Sequence, residues 1–202
     1  MVKRFYTSVS AEQTETGYFI ALDGRALKTP AKRELIVPTH ALACAVAGEW
    51  EAQDEEVLPA SMPMMRLVAT AIDRVGDALD ETIAGFIDYA GSDMLLYRAE
   101  APPSLVHHQE ENWSAILKWA QDRFDLTFRV TDGVLPVDQP AGNAARLTQI
   151  AGRDVFRIAG LAHGAALLGS AILTLALEAE EISAARAHAL AHLDALFQID
   201  EW

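Results

Sequence analysis

The sequence predicts an α+β protein, with an N-terminal lobe of antiparallel β-strands carrying a helix and a mainly α-helical domain after it. Three observations predict this. The first third holds short β-rich runs punctuated by turn residues, the apolar period switches to that of a helix at Thr39, and helical stretches fill most of the remainder. An apolar content of 51% over 202 residues suffices for a real core in one or two domains. The domain boundary is expected near residue 60, giving a β-rich lobe over 1–60 and a helical domain over 61–202.

Taken in order, RFYTSVS, GYFIALDG, RALKTP and ELIVP read as strands, separated by turns at Glu15-Thr16-Gly17 and Asp23-Gly24. Thr39 suits an N-cap, and Leu42, Ala43, Val46, Ala47 and Trp50 then share one helical face. Ser61-Met62-Pro63 predicts a cap and first turn for MMRLVATAIDRV, and Asp77 a cap for ALDETIAGFIDYA. Pro102-Pro103-Ser104 opens a long helix with an apolar stripe of Trp113, Ile116, Leu117, Ala120 and Phe124. A short hairpin is expected near 126–138, with LTFRV and VLPVD flanking Thr131-Asp132-Gly133. The uncharged run from Ile158 to Leu177 has the length of a membrane span, but it is rich in Ala and Gly, contains His163 and lacks flanking Trp or Tyr. It reads as a core helix, and no membrane insertion is expected. Ser183 caps the last helical segment.

Charge narrows the function classes. Sixteen Lys and Arg against 29 Asp and Glu give −13, which repels phosphate backbones and anionic lipid, so neither nucleic acid nor a membrane surface is an expected partner. Residues 1–33 hold six basic and three acidic side chains, a net +3 that leaves −16 for the rest. Such a basic patch steers toward an acidic partner or toward the chain's own acidic face. The single cysteine, Cys44, permits no internal disulfide and points to a reducing compartment. Its Ala- and Val-rich surroundings predict a buried structural thiol. The start, MVKRFYTSVS, has neither the apolar stretch of a secretory signal nor the length of a transit peptide, so the expected location is cytoplasmic.

Catalytic signatures are sparse. There is no GxxxxGK[ST], no GxGxxG after a strand, no GxSxG and no HExxH, and no cofactor is expected. His188 and His192 stand four residues apart near Asp194, with His107-His108 elsewhere, which leaves a small metal-dependent enzyme as the alternative. No third ligand has diagnostic spacing, so surface histidines are the plainer reading. Trp50 suits either core packing or a binding face, and Trp202 either a frayed end or a docked anchor. Asp194 and Gln198, four residues apart, make either an exposed polar face or a recognition patch.

Eight segments then occur together in one order: RFY, LDGRALKTP, LAxxVAxEWxxQ, P-x-x-MPMxRLxxTAID, YxxSDxLxYRAExP, W-x-x-x-L-x-W-A, GSxxLxLAL and LDxxFQIDEW. Together they resemble, over nearly the whole chain, the chaperone family that assembles the F(1) sector of ATP synthase, and within it the factor handling the alpha subunit. The resemblance implies a non-enzymatic, ATP-independent chaperone of alphaproteobacteria and mitochondria, acting in the bacterial cytoplasm or, for a processed eukaryotic homologue, the mitochondrial matrix. It would hold new alpha subunit until beta subunit replaces it, and be monomeric when free. It places Trp50, Asp194, Gln198, Glu201 and Trp202 on the partner-binding face. Two departures stand out: Ala195 follows Asp194 where an acid is common, and the sequence stops at Trp202 where the family usually continues with Gly and acidic residues.

Overall fold

A computed structural model describes residues 2–200. Their contacts group them into two units, one ending at Leu79 and the other beginning at Asp80.

The first unit begins with β1 (Val2–Lys3), then a four-stranded antiparallel sheet of β2 (Val9–Gln13), β3 (Tyr18–Leu22), β4 (Arg25–Ala26) and β5 (Ile36–Val37). β3 is central. β2 runs along one edge with Val9 opposite Leu22, and β4 and β5 share the other. The β3–β4 turn is Asp23-Gly24, both at positive φ (48° and 75°), as a two-residue hairpin requires. The strand expected in RFYTSVS starts only at Val9. Before it, the Thr7 and Ser8 amides donate to the Asp23 carboxylate at 3.0 and 2.9 Å rather than to a ladder. Those bonds hold the Asp23 carboxyl well below the usual range, at about 2.

Thr39 caps α1 (His40–Glu51) as the sequence predicts, its hydroxyl accepting from the Leu42 amide at 3.2 Å. Ala43 and Val46 are buried, and α1 packs on β2 and β3. Cys44 corrects the expectation of a buried thiol. It is exposed, one step off the apolar stripe, with its sulfur 3.4 Å from His40 Nε2. β6 (Glu56–Val57) pairs with β1, and α2 (Pro63–Thr70) runs on into a π-helical turn over Ala71–Val75. Ser61 does not cap α2: its hydroxyl donates to the Leu58 carbonyl (2.9 Å) and accepts from Gln53 Nε2 (3.1 Å). Glu49 supplies the cap instead, its carboxylate accepting from the Met64 and Met65 amides at 2.7 and 2.8 Å. Side chains also tie residues 61–79 to the strand lobe, although the sequence suggests a boundary near residue 60. Asp73 accepts from Thr29 Oγ1 at 2.6 Å, and Asp77, expected as a helix cap, is engaged by Arg33 at 2.5 Å.

The second unit takes in α3 (Leu79–Gly91) from its second residue on, β7 (Tyr97–Arg98), α4 (Pro103–Phe124), β8 (Thr131–Asp132), α5 (Gly142–Ala151), α6 (Val155–Leu168), α7 (Ala171–Glu178), α8 (Ala184–Ala191) and α9 (Leu193–Asp200). The predicted stripe of α4 is buried from Trp113 to Ala120, and the Trp113 indole donates to the Leu190 carbonyl at 3.0 Å. The hairpin expected near 126–138 does not form. β8 pairs instead in parallel with β7, Tyr97 opposite Thr131. Leu126 is fully buried, Pro136 has no amide to donate, and the Gln139 side-chain amide takes the strand partner's place by bonding both the N–H and C=O of Arg129 (3.0 and 2.8 Å).

The long apolar run is two helices, not one. Gly169 takes φ 65° and Ser170 caps α7, in which every residue from Ala171 to Ala176 is buried. Among the described residues no helix is long and apolar enough to cross a membrane. Gly164 lets α6 approach α7: a β-carbon there would sit 2.6 Å from Thr174 Cγ2. Asp93, fully buried, reaches the same junction, accepting from Ser170 Oγ and the Ile172 amide, each at 2.9 Å. Burial pushes its carboxyl up to about 6 despite those bonds.

Candidate functional site

The candidate residues fall in both units. In the first, Trp50 is half-buried at the end of α1. Its ring meets Tyr6 edge to face at 5.6 Å and packs on the cluster of Tyr6, Leu22, Val57 and Met62. Tyr6 donates its hydroxyl to the Trp50 carbonyl at 2.6 Å. The indole Nε1 is buried and has no hydrogen-bond partner among the described residues. The same ring lines a groove of about 660 Å³ together with Met62, Met65, Arg66 and Arg74. Its sequence neighbours hold the frame. Glu49 caps α2, while the buried Gln53 bonds the Leu58 amide, the Glu49 carbonyl and Ser61. The EWxxQ pattern therefore folds the corner between α1 and α2, with Trp50 set into it.

In the second unit, Asp194 lies in the first turn of α9, half-buried, and accepts from Gln109 Nε2 at 2.8 Å. Gln109 is itself only 1% exposed, and its Oε1 accepts from the Ala99 amide at 2.8 Å. The buried Arg98 donates to the Gln109 carbonyl (2.9 Å) and to Ser114 Oγ (3.2 Å), with its guanidinium over the Trp113 ring. Burial lowers the Arg98 pKa, and the charges of Glu110 and Asp194 oppose that shift. Asp194 is thus a countercharge to a buried cation as well as a surface group. Gln198 is exposed one turn on, beside the exposed apolar residues Leu196 and Ile199. Phe197 faces the His108 ring across a cleft of about 430 Å³ whose rim includes His107 and Arg186. Glu201 and Trp202 lie outside the described residues.

His188 and His192 stack with ring centres 4.3 Å apart on an exposed face. Among the described residues no cluster of three or more His, Cys, Asp or Glu is placed to hold a metal ion. Sequence reasoning overlooked Gln109 and Arg98. A signal existed for Gln109, because a polar residue at that spacing falls on the apolar stripe of α4, four residues before Trp113.

Likeness to known proteins gives this arrangement a class, that of a chaperone. The chain belongs to the ATP12 chaperone protein family, which matches residues 3–121. The crystal structure of Atp12 from Paracoccus denitrificans is 39% identical and superposes with a TM-score of 0.93, covering 100% of this chain and 87% of that one. An aspartate-to-lysine variant of that protein gives the same identity and TM-score over 86% of its length. The mitochondrial Atp12 of Schizosaccharomyces pombe is 22% identical over 215 residues, spanning 99% of this chain and 73% of that protein. The resemblance drawn from the eight sequence segments and the α+β architecture agree with these findings.

Proposed function

We propose that this chain binds the unassembled alpha subunit of the F(1) sector of ATP synthase, keeping it from aggregating until beta subunit takes its place. Family membership supports this reading most directly. The surface of α9 adds to it, since it exposes the apolar Leu196 and Ile199 as well as the polar Gln198, a mix of groups that suits a wet protein interface. A free alpha subunit would present apolar intersubunit surface on the scale of an obligate interface, above roughly 2,000 Å². Covering it reversibly needs no catalysis, no cofactor and no ATP. The partner-binding face is assigned to Trp50, Asp194, Gln198, Glu201 and Trp202, and the chain is a monomer when free, in the bacterial cytoplasm.

Co-expression with the cognate alpha subunit tests the proposal. Alpha subunit that stays soluble and co-elutes with this chain, without added nucleotide, is the expected result. An aggregated alpha subunit beside a folded chain that ignores it would refute the proposal. If Asp194→Lys and Trp50→Arg both fold and both retain alpha subunit undiminished, the face has been assigned to the wrong residues.

A further inference from the structure

The groove beside Trp50 has a chemistry that specifies its occupant. Its floor is Trp50 and Val57 with Met62 and Met65, and methionine side chains, with three rotatable bonds and a polarizable sulfur, adapt to partners of varied shape. Its rim carries Arg66 and Arg74, eight residues apart along α2 and its π-helical continuation, both exposed. Among the described residues neither guanidinium has an ion-pair partner. The neighbouring carboxylate, Asp73, is already engaged by Thr29 Oγ1 and the Ala31 amide. Two cations against the single carboxylate of Asp73 leave this apolar groove net positive in a chain of net charge −13, complementary to carboxylates presented beside apolar side chains.

We infer that this groove binds a segment of a client polypeptide that combines leucine-like side chains with flanking carboxylates, seated on Trp50, Met62 and Met65 and clamped by Arg66 and Arg74. The inference rests on the chaperone reading above and adds to it the chemistry of what is held. A polypeptide fits better than an anionic membrane. The site is concave, within the roughly 300–1,000 Å³ typical of pockets that enclose a ligand, and the net charge of the chain repels anionic lipid.

The test uses the full chain and a fluorescein-labelled peptide with leucines at i, i+3, i+4 and i+7 flanked by glutamates, read by anisotropy beside a lysine-flanked counterpart. The wild-type chain is expected to bind the glutamate peptide, and the Arg66→Glu/Arg74→Glu chain to bind it roughly tenfold or more weakly while gaining affinity for the lysine peptide. Both arginines are exposed, and an unchanged thermal melt would show that the reversal leaves the fold intact. Equal affinity of the two chains for the glutamate peptide, or no binding by the wild type, overturns the inference. Alpha-subunit retention measured in parallel separates the two readings. A wild-type chain that keeps alpha subunit soluble yet ignores the peptide refutes the groove alone, and one that fails to retain alpha subunit refutes the chaperone reading.

Discussion

The two units of this chain use polar groups in opposite ways. In the first, carboxylates at or near the surface tie loops and helix starts together: Asp23 holds the Thr7 and Ser8 amides, Glu49 caps α2, and Asp73 and Asp77 engage Thr29 and Arg33. In the second, which also has exposed ion pairs such as Arg153–Asp80, several ties lie inside. Asp93 closes on the α7 N-terminus, Gln109 and Arg98 sit beneath α9, and Asn143 bonds both backbone groups of Thr127 at 3.1 and 2.7 Å. Strands of two to five residues provide few ladder bonds, so a strand lobe needs side chains to hold its segments in register. Helices satisfy their own backbones and leave only their ends to be met, and the α7 N-terminus is one such end that lies buried. A lost tie is therefore expected to be tolerated in the first unit and costly in the second.

That contrast can be broken at four points. Trp113→Ala should cost about 3–5 kcal/mol, since the ring is buried and its N–H is bonded, and urea unfolding would measure it. Asp93→Asn should cost about 1–3 kcal/mol, because an amide N–H would face the donors that the carboxylate now accepts. The same residue gives the two units opposite responses to acid. The Asp93 carboxyl titrates near 6 in the fold against 3.8 unfolded, so the folded state takes up its proton first and gains stability as pH falls through 6. Asp23 and Asp77 are lowered, so their contribution is complete above 3.8 and is lost only as pH falls below it. Denaturant melts from about pH 7 to about pH 5 should show the gain in the wild type and none in Asp93→Asn.

Smaller effects sharpen the picture. Gly164→Ala should cost about 1–3 kcal/mol through the clash with Thr174, whereas Gly160→Ala, facing open space on the same helix, should stabilise by roughly 0.5–1 kcal/mol. Thermal melts of the two variants should therefore shift in opposite directions. Arg33→Ala removes an exposed ion pair from the first unit and should leave the thermal melt nearly unchanged, the smallest effect of the series. A melt lowered as far as that of Asp93→Asn would erase the distinction between the units.

What the sequence made legible was local. The stripes of α1 and α4 and the Asp23-Gly24 turn follow from spacing within one element, and each lies where the periodicity put it. What it hid was the partner of each polar group. Nothing near Ser61 indicates that Glu49 caps α2, and nothing near Thr131 indicates Tyr97 as its strand neighbour, because both depend on residues 15 or more positions away. Cys44 misled because its neighbours in sequence are apolar although its own direction on α1 faces solvent. For the candidate site, the shared face of Asp194 and Gln198 was legible from their spacing. The Gln109 and Arg98 network behind Asp194 was not, being made across helices. Trp50 illustrates both outcomes, with one part of its ring packed on Tyr6 and another lining the groove.

The Glu49 cap has a consequence for the order in which the protein takes shape during synthesis. Helix α2 has eight residues, fewer than the roughly 12–15 an isolated helix needs to persist in water. It depends on the carboxylate that α1 delivers, and that carboxylate lies 15 residues earlier in the chain than the first amide it receives. The capping group has thus been translated before the helix it stabilises. Because the first unit closes at Leu79, the wall of the Trp50 groove can form while the second unit is still being made.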